Sequence, residues 1–555
     1  MCSRVIVELH STDFSPPRAS SILALPPPRE RQNAIDGFRF VAGEHFYNHE
    51  MFGSIRKGGT VKLVSKECTG LAVAVAMSAF AYATLTSVIV PLMTRQLMLN
   101  RQESLAMRRL VELPMALSFF FGVLSDSHPV VGLRRKSYMV IGSLVYAASV
   151  IIIAAVSNRF GAVAETIDRP SDASIVVVVI LCAFASVGCI LTFLSVHTQV
   201  IEFSQREPLK KRGVFQASYL ILRRLASLGA SLFTCATLRS ADGDPRIHST
   251  ITILLLAFVA ILPLPMVWNF WREEMAPPVF NASLSIRMKG QWRILQQRAI
   301  WSTLAFICVF TLFLGVKFTD SLEIIKNWAG ASADNYVLIK SIQDLVALAT
   351  IVIWRHWFMN RHWRIFFCLG PVFTIVPSLF VSIFVALDVV RDRVFYRLFT
   401  SLGFASDGVA ALMNIVPLTE IIPEGSEAST VGIVLSFERL ISTFDSTNNN
   451  GLFQGAHFID QDQVPLDTAH VRSSVLLSLV LNYGINACAL MGLVLLPNQK
   501  LDAQQLRIYG GFTKAAASSV AGFGLLLFGY SAVINVMSFA PSLSCYKLVD
   551  GDGCT

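Results

Sequence analysis

At 555 residues, 54% of them hydrophobic and only 15% charged, with 39 phenylalanines, the chain has too little polar surface for a soluble globular protein of its size. Composition therefore places it in a bilayer. The formal net charge of +9 does not point to a nucleic-acid partner, because the basic residues alternate with apolar segments instead of forming a phosphate-tracking stripe.

Residues 1–65 are polar and punctuated by Pro16, Pro17, Pro26, Pro27 and Pro28, with no apolar stretch long enough for a signal peptide; a disordered cytoplasmic tail is expected there. A spanning helix needs about 20 mostly apolar residues. Windows of that kind predict thirteen spans, near 69–92, 107–124, 137–156, 174–200, 213–237, 250–270, 299–317, 336–354, 364–387, 396–418, 428–452, 472–496 and 513–539. Polar residues crowd the ends of the fourth, seventh and eleventh. Arg56, Lys57, Lys62 and Lys66 precede the first span. Arg134 to Lys136, then Arg206 and Lys210 to Arg212, then Arg272, Arg287, Lys289, Arg293 and Arg298 fill every second loop after it. By the positive-inside rule these loops are cytoplasmic, a pattern that Arg95 and Arg101 interrupt on the other side.

The segment 271–298 has the composition of a linker and separates a six-helix half at 66–270 from a second at 299–497. An internal repeat of this kind suits alternating access, one half rocking against the other. Residues 498–555 then form an extra helix and an exterior C-terminal tail.

Ionisable groups inside a membrane cost several kcal/mol unless they face protein or a water-filled cavity. Here the third, sixth, ninth, twelfth and thirteenth spans have uncharged centres. Charged or titratable groups fall on the second (Glu112), fourth (His197), fifth (Arg223, Arg224), seventh (Lys317), eighth (Lys340, Asp344), tenth (Asp407) and eleventh (Glu438, Arg439). Lys340 and Asp344 are spaced i,i+4 on one face and are expected to form a structural ion pair. Arg223 and Arg224 project about 100° apart, so one of them is expected to bridge helices, to Asp344 on the eighth. Lys317, at the end of its span, can snorkel to water. Asp407 stands alone in an apolar span and is the expected proton-coupling residue. His197 is its possible assistant, since imidazole titrates near neutrality.

Between the second and third spans runs Gly122-Val-Leu-Ser125-Asp126-Ser127-His-Pro129-Val-Val-Gly132-Leu-Arg134-Arg135-Lys136. It resembles the signature loop of major facilitator transporters, in a longer form similar to the folate–biopterin transporter family. Three further elements resemble that family: Glu202-Phe-Ser-Gln-Arg-Glu-Pro208 leading to Arg212-Gly213 and Gln216, His362-Trp363-Arg364, and Pro423-Glu-Gly-Ser-Glu427-Ala428. The resemblance implies an all-α polytopic membrane protein with the major facilitator fold plus a thirteenth helix. In that fold helices one, four, seven and ten line the cavity, two, five, eight and eleven flank it, and the rest are peripheral, which matches the sorting of charge. It also implies a conformational latch in which Asp126 reaches Arg134 and Arg135 across a tight Pro/Gly turn. Where the family has a Lys in the second helix and acids in the fourth, this chain has Ser118 and His197, so those two are candidate ligand contacts.

The expected function is transport of a folate, biopterin or related small organic anion, coupled to protons, with Arg223, Arg224 and Arg439 binding carboxylates bidentately. Two alternatives are a carrier of another solute, such as a nucleoside or sugar, and a non-transporting receptor or scaffold on the same fold. No enzymatic element (His-x-Asp, His-Glu-x-x-His or Gly-x-Ser-x-Gly) occurs at a span boundary, and no metal, cofactor or nucleic acid is expected. The expected partners are the solute, protons and lipid, and the expected location is the plasma membrane rather than an organelle membrane.

Overall fold

The structure is a computed structural model that describes residues 53–163, 170–239, 244–273, 284–331, 336–449, 453, 459, 461–540 and 543–546. Its long apolar segments all fold as helix, because in hydrocarbon each backbone N–H and C=O has to be satisfied within the segment. The first six helices are Lys66–Gln96, Arg101–Ser127, Lys136–Val163, Asp172–Ser204, Val214–Thr237 and Ser249–Phe270. A short linker helix, Leu284–Gln296, precedes the second group. The seventh helix runs Arg298–Gly315 and, beyond a break, Thr319–Trp328. The eighth to thirteenth are Tyr336–Ile353, Trp363–Ala386, Arg393–Ile421, Glu427–Asn449, Ala469–Leu495 and Lys514–Met537, with an amphipathic helix, Lys500–Tyr509, before the last.

Among the described residues, eleven of the thirteen are long and apolar enough to cross a membrane. The other two are the eighth, whose start adjoins residues outside the described set, and the eleventh. The eleventh is polar because it is surrounded by protein: Glu427, Asp445, Thr447 and Asn448 are all buried. Large apolar side chains on the third, sixth and thirteenth helices, such as Leu144, Phe258 and Leu525, point outward, as lipid-facing positions do.

The two helix groups meet along two seams, the second helix against the eleventh and the fifth against the eighth. The first seam depends on glycine. A Cβ on Gly122 would overlap the Ala428 carbonyl, and one on Gly432 would lie 2.5 Å from the Ser118 carbonyl. Residues 53–65 were expected within the disordered tail, yet they are ordered against the basic ends of the helices. Arg56 N–H donates to Gln205 O at 3.1 Å, and Gly53 O accepts from Arg212 at 3.1 Å. Residues 1–52 and 547–555, the rest of the two expected tails, lie outside the described residues.

Candidate functional site: a central polar layer and an ionic latch

At the basic ends, the turn after the second helix brings Asp126 and Arg135 together in a fully buried pair, Oδ1 to Nη2 at 2.8 Å. The Val130–Leu133 bridge tightens this turn, and Glu273 closes it by accepting the N–H groups of Arg134, Arg135 and Lys136 at 2.9, 2.9 and 2.7 Å. The Arg135 guanidinium also donates to Glu202 at 3.0 and 3.1 Å, to Glu427 at 3.1 Å and to Ser125 at 3.0 Å. Burial opposes its charge, but Asp126, Glu202 and Glu427 hold it above its ordinary value. Arg134 does not reach Asp126. It lies 3.7 Å from Glu427, which Arg56 also engages.

The same carboxylate crosses to the second half. Asp126 Oδ2 accepts Ser429 N–H at 2.8 Å and Ser429 Oγ–H at 2.7 Å, at the start of the eleventh helix, where an anion meets the positive helix end. Alongside it, Gln205 donates to Thr419 O and Ile422 O at 3.0 and 3.1 Å, and Arg212 pairs with Glu420 at 2.7 Å. Lys500, from the amphipathic helix, donates to Arg212 O at 2.7 Å. At the opposite ends of the helices, an exposed Arg101–Glu323 pair at 3.6 Å links the halves.

A second polar layer lies within the bundle. The Arg223 guanidinium sits 4.0 Å over the Phe193 ring and 3.5 Å from Tyr219 Oη. Tyr219 in turn meets His197 Nδ1 at 3.1 Å, and the imidazole stacks edge-on against both Phe193 and Tyr219. Arg224 turns away from its neighbour, as the 100° rotation requires, to Asp344 at 3.6 Å and to the Asp407 carbonyl at 3.1 Å. On the other seam Arg439 lies 3.8 Å from Glu112 and 5.5 Å over Tyr82.

Two expectations are corrected. Lys340 and Asp344 are not paired: Asp344 takes Arg224 and Ser231 Oγ (2.9 Å), while Lys340 lies 6.0 Å from the Phe404 ring. A buried carboxylate is better satisfied by two donors from the fifth helix than by one flexible amine on its own face. Ser118, expected as a ligand contact, lies in the seam between the halves. It is 2% exposed, its hydroxyl bonds Met115 O at 2.5 Å, and it is packed into the seam with the eleventh helix. Asp407 is half-buried where the tenth helix restarts after Gly403–Phe404, not in an unbroken span. Arg56, Glu202, Glu420 and Asp445 were absent from the expected site. Among the described residues, no cluster of three or more His, Cys, Asp or Glu side chains could hold a metal ion.

Two bundles of membrane helices that meet along two polar seams are the architecture of a multi-pass membrane protein of the major facilitator type. A D-xylose-proton symporter shares the fold, with TM-score 0.52 at 12% identity over 77% of this chain and 97% of that one. Also similar is a proton:xylose symporter bound to 6-bromo-6-deoxy-D-glucose (TM-score 0.49, 14% identity, 81% of this chain and 98% of that one). A bacterial homologue of the iron transporter ferroportin in an outward-facing state is similar too (TM-score 0.49, 13% identity, 76% and 98%). No curated protein matches the chain in sequence. The BT1 family profile matches residues 80–504, and the chain belongs to that family, the folate–biopterin transporters.

Proposed function

We propose that the protein carries a folate, a biopterin or a related planar organic anion by alternating access coupled to protons, with the basic ends of its helices in the cytoplasm and the plasma membrane as its site of action. The halves 66–270 and 299–497 rock about the polar layer, 271–298 links them, and the thirteenth helix braces the second half.

The observation that carries this reading is Arg223. It is a half-buried cation with no carboxylate partner among the described residues, set between aromatic rings on the fourth and fifth helices. An unneutralised guanidinium beside Phe193, Tyr219 and His197 suits a flat heterocycle carrying a carboxylate or an acidic ring, which can stack and accept paired hydrogen bonds together. Arg439 lies across the bundle as a second cation, already shared with Glu112, and Arg224 is committed to Asp344. In this reading Asp407 carries the proton, assisted by His197. The Asp126–Arg135–Glu202–Glu427 assembly is the latch that closes the cytoplasmic side.

Uptake of labelled folate and biopterin, measured in cells lacking their own carriers, tests the reading. A charge-assisted hydrogen bond is worth about 1.5–3 kcal/mol, so Arg223→Gln should lower uptake efficiency about 10- to 150-fold at equal surface level. Arg223→Lys should recover part of it. Uptake of neither ligand by the native protein, or unchanged uptake in Arg223→Gln, would refute it.

A further inference from the structure

The seventh helix is interrupted at Val316–Phe318, and the carbonyls freed by the break are taken up by neighbours. Asn449 donates to Gly315 O at 2.8 Å, and Asn486 donates to Phe313 O and Val316 O at 2.6 and 3.0 Å. On the other side of the break, Asn449 Oδ1 accepts Lys317 N–H at 2.9 Å and Asn482 Oδ1 accepts Phe318 N–H at 2.7 Å. One carboxyl beside this joint lacks such a counterpart. Asp445, a turn inside Asn449 on the eleventh helix, is 3% exposed, and neither of its carboxyl oxygens has a hydrogen-bond partner among the described residues. Its Oδ2 is pressed against Gly315, where a Cβ would overlap it.

Three helices pack on this end of the eleventh. The seventh brings Lys317, the charged group that acts on Asp445. The second brings Arg109, which donates to Asn535 at 3.4 Å, and Glu112, which faces Arg439. The thirteenth brings the neutral Tyr530 and Asn535, which bond Asn448 and Thr447 at 2.7 and 3.1 Å. Lys317 itself is exposed and makes no ion pair with Asp445. The fourth helix also packs on the eleventh and brings Glu202, which shares Arg135 with Glu427.

An unpartnered carboxylate in so dry a place costs several kcal/mol even after relaxation, whereas the neutral acid can lie against a helix backbone at little cost. We infer that Asp445 is a proton-binding site of this transporter, separate from Asp407, which holds its proton while the seventh-helix joint is closed and releases it when the joint opens. The balance is simple: a hydronium ion gives its proton to a carboxylate oxygen, an O–H bond forms, and water departs. In the reverse step Thr319–Trp328 swings away from Gly315, water enters and takes the proton as the O–H bond breaks, and the carboxylate left behind has Lys317 as counter-charge while hydronium departs. The position therefore ties protonation to movement of the outer part of the seventh helix.

This inference rests on the proposed proton coupling, but its test does not need the substrate. Infrared difference spectra of the purified full chain in lipid nanodiscs are compared between about pH 5 and about pH 10, a range wide enough to load and unload a buried carboxyl. The native protein should show a protonated-carboxyl stretch from a dry environment that disappears at alkaline pH. Asp445→Asn and Asp445→Ser should both lack it, and Gly315→Ala, which displaces the carboxyl while keeping it, should shift the pH at which it vanishes. A band unchanged in either Asp445 variant overturns the inference. If labelled folate and biopterin are not carried at all yet the band behaves as stated, the substrate reading fails and this one stands. Where they are carried, the pH dependence of uptake should flatten in Asp445→Asn.

Discussion

Replacing Asp126 by Asn should loosen the seam between the second and eleventh helices without disturbing either helix. The carboxylate holds Arg135 at 2.8 Å, Ser429 N–H at 2.8 Å and Ser429 Oγ–H at 2.7 Å, all in a buried site. Asn offers one acceptor oxygen, and its amide N–H₂ has to face either Arg135 or Ser429, both donors. At least one of three charge-assisted contacts is lost, worth about 1.5–3 kcal/mol, and the remaining ones are weakened; a net loss of about 2–3 kcal/mol follows. Two of the three contacts, those to Ser429, exist only while the basic ends of the two halves are together, so the loss falls mainly on the closed arrangement. At about 1.4 kcal/mol per tenfold, the open population should rise about 30- to 150-fold. Hydrogen–deuterium exchange of the peptide covering 426–432 reads this directly, with the third–fourth helix contact around Gly142 and Gly188 as an internal reference that should not move. Exchange at 426–432 that is unchanged in Asp126→Asn would show that the carboxylate does not hold the halves together.

Gly122→Ala tests the same seam without altering charge. Its Cβ would overlap the Ala428 carbonyl and lie 2.8 Å from Ser429 Cα, so faster exchange at 426–432 and reduced uptake are expected; native-like values in both would mean that the seam gives way elsewhere. Glu207 provides a pH dependence. Burial raises its carboxyl from 4.5 to about 7, although it accepts the N–H groups of Gly213 and Phe215 at 2.9 and 3.0 Å. The closed turn thus keeps a proton that the opened turn releases, and the turn should lose stability as pH rises from about 4.5 through about 7. Exchange of the amides at 213–216, corrected for intrinsic rate, should climb over that range in the native protein and stay level in Glu207→Gln.

Local relations were legible in the chain and long-range ones were not. Asp126 and Arg135 stand nine residues apart on one turn, and charge and turn chemistry suffice to bring them together. Glu202 and Glu427 lay in motifs whose sequence gave no sign of a shared partner. They meet because Arg135 and Arg56, neither near both in sequence, each reach both. Ser118 was misplaced for a geometric reason: Leu113–Leu117, around Pro114, is wound as a 3₁₀ turn, and three residues per turn instead of 3.6 rotates everything after it away from the face an α-helix would assign. The i,i+4 spacing of Lys340 and Asp344 permits a pair, but it carries no information about Arg224 on another helix. Asp445 escaped notice because a polar run at the end of a span reads as interfacial. The seventh and thirteenth helices bury it, and nothing near it in sequence announces them.

The latch is made of ions, and that choice bears on how a carrier has to behave. Asp126, Glu202 and Glu427 face Arg56, Arg134 and Arg135, so the assembly is formally neutral, and Arg135 alone touches all three acids. Burying such a group recovers in Coulomb energy roughly what it loses in hydration, and replacement by well-packed apolar residues is often neutral or stabilising. An apolar seal of the same size would open only by exposing its whole area to water, at about 25 cal/mol per Å². Charged groups are hydrated as soon as they separate, so the open arrangement is not far above the closed one, and modest differential binding can shift the balance. Direction is kept all the same. The short bond to the backbone of Ser429 and the Arg135–Glu427 contact admit one register of the two halves, so the basic ends close in a single geometry and release without a large barrier of exposed hydrocarbon.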